Sequence, residues 1–569
     1  MDRRAFLQYL VSVGSLTWAN TALPGPWNYA SLEKLFAIDS KRCSDQTFPQ
    51  GVASGDPLTH GITLWTRVNS GRRNAMPVTY EIAADGKFSR PLLRGVSLAD
   101  AETDFTVKIQ ISDKNELDPF QTYYYRFFCG GCASPVGRFK TLPAADANLS
   151  KIRFAFISCQ DYTNGYYTAL AHLAEEDIDF VVHLGDYIYE TVADPSFQSG
   201  QVRPLRLPSG NMRAESLDDY RYLYKAYRSD ANLQRLHQRF AFISVWDDHE
   251  FANDGYREFD TDTANEAANY DPQRRQHANQ AWAEYMPAGP VFHPRRAPLQ
   301  SLRIYRSFAF GNLLELVVTD ERLYRDGPPC GLEQTQRYLT PACPAIRDPR
   351  RTMLGVEQRE WLVDILARSD RTWKVWGNQV MAMQLKILQS YAALLLPQNP
   401  PSSDLYFTLD QWDGYQHERA EVLSRLRDAG VTDLIAVTGD IHTYMAGNLK
   451  VNFDDPLESP VGVEFICGSV TSANFGELAT FGNGIPVPPA ADTTAIVRAS
   501  NPHIQYFNSF THGYNLVELT PEYAYCIMKA VDTIKAPYST IETLKRFRVM
   551  RGHTQIEDVT VLEPVIEAV

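Results

Sequence analysis

Phe180-Val181-Val182-His183-Leu184-Gly185-Asp186-Tyr187-Ile188-Tyr189 decides how this chain is read. An apolar, β-branched run of strand length stops abruptly at Gly-Asp. The glycine lets the backbone turn sharply after the strand, so the carboxylate points across the sheet edge and not into solvent. Three other segments repeat the pattern. Residues 152–157 run into Ser158-Cys159-Gln160-Asp161, residues 240–246 into Asp247-Asp248-His249-Glu250, and residues 434–437 into Gly439-Asp440-Ile441-His442. Helical stretches at 166–176, 217–237, 356–368 and 418–429 alternate with these strands and with others at 313–319 and 373–376, which predicts a mixed α/β core. Ligands of open α/β sheets gather at the C-terminal ends of strands, so the four endings should converge.

The residue types at those endings suit a cluster of polyvalent metal ions. Asp186 can bridge two cations with its two oxygens. Asp440 and His442, two residues apart on extended backbone, project to one side and can address the same or adjacent metals. Tyr189 can turn a phenolate back toward the ion that Asp186 holds. Thiolate and phenolate suit a hard, redox-capable ion such as Fe(III), whereas carboxylate, amide and water oxygens suit Ca, Mg or Mn. Taken singly, Gly-Asp after a strand is ordinarily a turn or cap, and a lone cysteine there is ordinarily buried and inert. Agreement of spacing, order and strand context at four separated places carries the metal-site reading.

Upstream, residues 49–141 alternate as half-buried strands do, at 62–68, 78–82, 106–111 and 122–128, and predict a small all-β sandwich. The turn Leu117-Asp118-Pro119 before Tyr123 resembles the corner of a fibronectin type III module. Residues 465–469 and 514–519 are expected to extend a second sheet. The long Pro-, Gly- and Ser-bearing loops 194–212 and 395–403 read as walls of a site. Of eight cysteines, Cys330 and Cys343 are the expected disulfide, Cys129-Gly130-Gly131-Cys132 reads as a tight turn with room for a bridge, and Cys467 and Cys526 read as buried thiols. The net charge of −13 disfavours bulk attachment to nucleic acid or anionic lipid, so no nucleic-acid partner is expected. At the N-terminus, Arg3-Arg4-Ala5-Phe6-Leu7 and the short apolar run after it resemble a twin-arginine export signal, which implies the twin-arginine machinery as partner and a periplasmic or extracellular destination. No apolar run is long enough to span a bilayer. The expected organisation is an export signal at 1–30, a β-domain at 45–145 and a catalytic domain at 150–555.

Gly185-Asp186-x-x-Tyr189, Asp248-His249-Glu250 and Gly439-Asp440-x-His442 resemble the metallophosphoesterase motif series, in the variants shown by the PhoD-like alkaline phosphatases and phosphodiesterases. Ser158-Cys159-Gln160 and the entry segment 50–57 resemble the same family, and the resemblance covers nearly the whole chain. It implies an α/β fold, a four-layer αββα sandwich of two mixed sheets, with Fe(III) and Ca(II) at the strand ends. Cys159, Asp186, Tyr189 and His442 would hold the iron, and Asp186 would bridge to a calcium site that Asp248 and Asp440 help form. Asn378, or its neighbour Gln379, stands where the wider superfamily has a histidine ligand. Residue types alone also fit zinc or manganese. The implied activity is hydrolysis of phosphate monoesters and diesters by in-line attack of a metal-bound hydroxide, with His249 as general acid. Two alternatives follow from the same residues: a phospholipase D or other dedicated diesterase, and a non-catalytic cell-surface binding protein.

Overall fold

The computed structural model describes residues 35–36, 38, 46–69, 75–112, 117–396, 399–478 and 489–561. The expected export segment, residues 1–30, lies outside them. Ile152–Ile157, Phe180–His183 and Ala241–Ser244 lie side by side and parallel, nearly every residue buried. A parallel strand is covered on both faces, which is why these segments read as unbroken apolar runs. A second sheet has Leu314–Val318, Trp373–Asn378, Leu434–Thr438 and Gly462–Ile466 in parallel at its centre. One core takes Phe154, Phe180 and Val182 from the first sheet and Leu316, Val375 and Val437 from the second, so the sheets pack face to face. The far face of the second sheet, with Val317, Trp376 and Ala436, is buried with Leu362 and Leu366 of the helix Val356–Arg368 and Val422 and Leu426 of Gln416–Asp428.

The stretch 217–237 is two helices, Leu217–Tyr227 and Ala231–Arg239. Asp230 interrupts it as an N-cap, its carboxylate accepting the N–H groups of Asn232 and Leu233 at 2.8 and 3.1 Å. The expectation that 514–519 joins the second sheet is corrected. His512–Leu519 pairs antiparallel with Ile152–Ile157 in the first sheet, Leu516 opposite Ala155.

The N-terminal β-region has a core of its own, including Val52, Leu64, Tyr80, Ile82, Tyr125 and Phe127. It also shares a sheet with the α/β region. Val52–Leu58 runs parallel to Ala241–Ser244 with Ser54 opposite Ala241, and carries Gly61–Arg67 and Thr106–Ile111 beyond it. The Asp118 N–H donates to the Tyr123 hydroxyl at 2.7 Å, tying down the turn. Cys129 and Cys132 face each other across a turn whose Gly130 and Gly131 both have positive φ, and no disulfide joins them. A disulfide does join Cys330 to Cys343. It brackets part of a small cap in which Tyr338–Pro341, Leu405–Thr408 and Lys386–Ile387 form a three-stranded sheet. No described helix is long and apolar enough to cross a membrane.

Candidate metal centre

Cys159 follows Ile152–Ile157, Asp186 follows Phe180–His183, and Asp440 and His442 both follow Leu434–Thr438; all four have left-handed backbone, with φ of 59°, 55°, 63° and 51°, so the extended backbone expected for Asp440 and His442 is corrected. Non-glycine residues pay for that conformation, and it is concentrated where a site dictates the direction of a side chain. Gly185 has φ of 106°, and a Cβ there would sit 2.4 Å from that of Asp247, so only glycine lets the second and third strand ends approach. Glu250 locks the approach. Its carboxylate accepts the N–H groups of Asp186 (2.9 Å), Tyr187 (2.7 Å) and Asp247 (2.8 Å), joining two strand ends through one side chain.

The first group of ligand atoms is Cys159, Asp186 and His442, all within 4.8 Å of one another. Tyr189 completes it, its hydroxyl 3.0 Å from Asp186 Oδ2 and 3.1 Å from His442 Nε2. His442 Nδ1 is 2.7 Å from the Ala473 carbonyl and must donate to it, which leaves Nε2 as the nitrogen with a lone pair. Burial lowers the His442 imidazole to about 4, so it is neutral at physiological pH. Burial, and then the charge of Asp186, push the Cys159 thiol and the Tyr189 phenol well above their ordinary ranges. A cation entering this nest therefore competes with protons.

Further groups combine Asp186, Asp248 and His249; Asp247, Asp248 and Asp440; and Asp248, Asp254 and Asp410. Asp186 Oδ1 and Asp247 Oδ2 are buried with no hydrogen-bond partner. A buried carboxylate oxygen without a donor is costly, and a coordinated cation removes that cost, so the residues fit the group that the motifs imply. Arg322 is the counter-charge that keeps these acids together. Its fully buried guanidinium meets Asp247, Asp410 (2.6 Å) and Asp440 (2.7 Å) and lies 3.8 Å from Asp248.

His249 stands at the mouth of the cluster. Its Nδ1 is 2.6 Å from Glu190 Oε2, and its ring stacks on Tyr189 with centroids 4.0 Å apart. Burial opposes its protonation, but Glu190, Asp248 and Asp186 outweigh that and hold the imidazolium well above the usual histidine range. Asn378 ends the strand Trp373–Asn378; its amide oxygen accepts from Trp412 Nε1 at 3.1 Å, and its nitrogen donates to the Val380 carbonyl and to Thr438 Oγ1. Gln379 is likewise spent on backbone, with Nε2 on the Thr319 carbonyl and Oε1 on the Glu321 N–H. Glu190, Arg322, Asp254 and Asp410 were not singled out in the sequence. Arg322 had a signal: Thr319-Asp320-Glu321-Arg322 is one more polar run at the end of a buried strand.

The cluster opens into a cavity of about 530 Å³ lined by Asp186, Glu190, Asp248, His249, Asp440 and His442. Loop residues Asp194, Ser196 and Phe197 form one wall and the three-stranded cap another.

Comparison with known proteins bears on the whole chain. The family model described as PhoD-like phosphatase matches residues 154–526, and that described as PhoD-like phosphatase, N-terminal domain, matches 34–143. The chain is 33% identical over 568 residues to alkaline phosphatase D of Bacillus subtilis (strain 168), covering 98% of this chain and 89% of the relative. A solved structure titled "Structure of PhoD" superposes with a TM-score of 0.79 at 33% identity, over 91% of this chain and 93% of that one.

Proposed function

This chain belongs to the PhoD-like phosphatase family and is a phosphoric ester hydrolase, and from that premise we propose that it is an exported, metal-dependent enzyme acting on phosphate monoesters and diesters. The observation that carries the metal dependence is the nest of Cys159, Asp186, Tyr189 and His442 around a buried, partnerless Asp186 Oδ1. As the family resemblance implies, we assign Cys159, Asp186, Tyr189 and His442 to Fe(III), and Asp186, Asp248 and Asp440 to Ca(II), whose preference for carboxylate oxygens those residues meet. The face-to-face sheets are read as the metallophosphoesterase sandwich, and the N-terminal β-region as fibronectin type III-like.

Cations bound there supply a more acidic water and neutralise charge on the phosphoryl oxygens. The chain's own residues do the rest. Glu190 fixes the His249 ring through Nδ1 and anchors the Asn253 N–H at 2.9 Å through its other oxygen, which leaves Nε2 to face the cavity. From Nε2 the imidazolium donates its proton to the leaving oxygen as the P–O bond breaks, and the proton released by the attacking water restores the balance. Export rests on the Arg3-Arg4 segment. The test compares rates on an aryl phosphate monoester and an aryl phosphate diester for metal-replete and chelator-treated protein. Turnover of both esters that is lost on chelation and restored by metal is expected; turnover untouched by exhaustive chelation overturns the metal dependence.

A further inference from the structure

Behind the nest of Cys159, Asp186, Tyr189 and His442, three strand ends meet over one hydroxyl. Ser158 follows Ile152–Ile157 of the first sheet, Cys467 follows Gly462–Ile466 of the second, and Gly439 follows the neighbouring strand Leu434–Thr438. Ser158 Oγ lies 3.1 Å from Cys159 Sγ and 3.5 Å from Cys467 Sγ. Backbone bonds hold these segments together. The Val470 N–H donates to the Ser158 carbonyl at 3.1 Å, and those of Thr471 and Ser472 donate to the Cys159 carbonyl, both at 3.2 Å. A Cβ on Gly439 would lie 2.4 Å from Ser158 Oγ and 2.6 Å from its Cβ, so a glycine is needed there to admit the serine. Ser158, Cys159 and Cys467 are all buried, and water is not at hand to replace any of these contacts.

The direction of the two side-chain bonds follows from counting protons. A serine hydroxyl has one, and a thiol is a weak donor. While Cys159 is a thiol it can donate to Ser158 Oγ. Once it ligates a cation it is deprotonated and can only accept. The Ser158 proton then serves the Cys159 sulfur, and the Ser158 oxygen is left to accept from the Cys467 S–H. Hydrogen bonds to a ligating sulfur tune the centre it belongs to.

Resting on the metal-centre reading above, we propose that Ser158 and Cys467 are positioning residues for Cys159: a chain of hydrogen bonds from the Cys467 thiol through the Ser158 hydroxyl to the Cys159 sulfur sets how strongly that thiolate donates to the cation it holds. A thiolate that shares its charge with a hydroxyl leaves the cation more positive, and acidifying a water depends on that charge.

The probe is Co(II), because a thiolate bound to it gives a charge-transfer absorption whichever metal the native protein carries. Metal-stripped protein is titrated with Co(II), and band position and affinity are read for the native chain, Ser158→Ala, Cys467→Ala and Cys467→Ser. Loss of the hydrogen bond raises the energy of the sulfur electrons, so the band should move to longer wavelength in Ser158→Ala. Co(II) affinity should fall about 10-fold in that variant, the effect of losing a hydrogen bond to a charged group. Cys467→Ala should shift the band the same way by less. Cys467→Ser places a stronger donor behind Ser158 and should shift it to shorter wavelength. A packing defect at residue 467 would move both variants alike, so this pair also serves if Ser158→Ala does not fold. A band at the native position in Ser158→Ala, or shifts of the same sign in the two Cys467 variants, overturns the proposal. A native chain that binds Co(II) without any thiolate band overturns Cys159 ligation itself, and the proposal with it.

Discussion

Single residues decide what this centre can do. The general-acid role proposed for His249 depends on Glu190, which holds Nδ1 at 2.6 Å and leaves the other nitrogen free to act. His249→Ala should lose about 10²- to 10⁴-fold in rate on an ester with a poor leaving group, and less on one with a good leaving group that hardly needs protonation. Glu190→Gln should lose less, with the same dependence on the leaving group. Rates on a series of aryl esters of graded leaving-group acidity check both, and equal losses across the series would assign His249 to binding or structure. The sequence made the motif residues legible at this scale, because acidic, sulfur and imidazole groups after four buried strands have no structural need to coincide. Asn378 was not decided there: an amide after a strand is as useful to a neighbouring indole, here that of Trp412, as to a cation.

Among the elements, the cap and the strand-end loops shape the cavity. The Cys330–Cys343 disulfide closes the segment that carries Arg337, Tyr338 and Leu339 into the wall, where Arg337 and Tyr338 grip Asp254, whose N–H reaches Asp248 at 2.5 Å. Replacing both cysteines by alanine should lower stability by about 3 kcal/mol, the loop-closure effect for a segment of this length. Denaturant unfolding under matched conditions measures it. The segment that supplies Ala473 is tied down by Glu477, which pairs with His512 at 3.1 Å and Lys535 at 3.2 Å. Burial alone would raise the Glu477 carboxyl, but His512 and then Lys535 outweigh it and hold it down to about 2 against an ordinary 4.5. A depressed carboxylate stabilises the fold above its unfolded pKa and loses that contribution as pH falls through the folded one. The stability gap between the native chain and Glu477→Gln should therefore close as pH falls between about 4.5 and about 2, as followed by unfolding at a series of pH values. The buried parallel strands were legible because both faces are apolar. The placement of His512–Leu519 was not, since an apolar strand carries no mark of which of two stacked sheets it joins. The cap was recognised only through the wall-like composition of 395–403, as its strands are two to four residues long.

At the scale of the whole molecule, the N-terminal β-region and the α/β region are joined by the parallel pairing of Val52–Leu58 with Ala241–Ser244, the strand that leads into Asp247 and Asp248. One sheet thus runs from the β-region to the candidate metal centre. Under the export proposal, replacing Arg3 and Arg4 together by lysine should leave a folded precursor inside the cell. Fractionation of cells making the double variant reads this out, and its normal export would contradict the signal assignment. If the four strand ends form one metal centre on which hydrolysis depends, Cys159 is the residue to change, because a serine there is nearly isosteric and leaves a far weaker ligand. The measurement is iron and calcium content together with the rate on an aryl phosphate, for the native chain and Cys159→Ser purified side by side. We predict that iron and rate fall together in the variant while calcium is less affected, and a Cys159→Ser protein that keeps both its iron and its native rate would contradict the account.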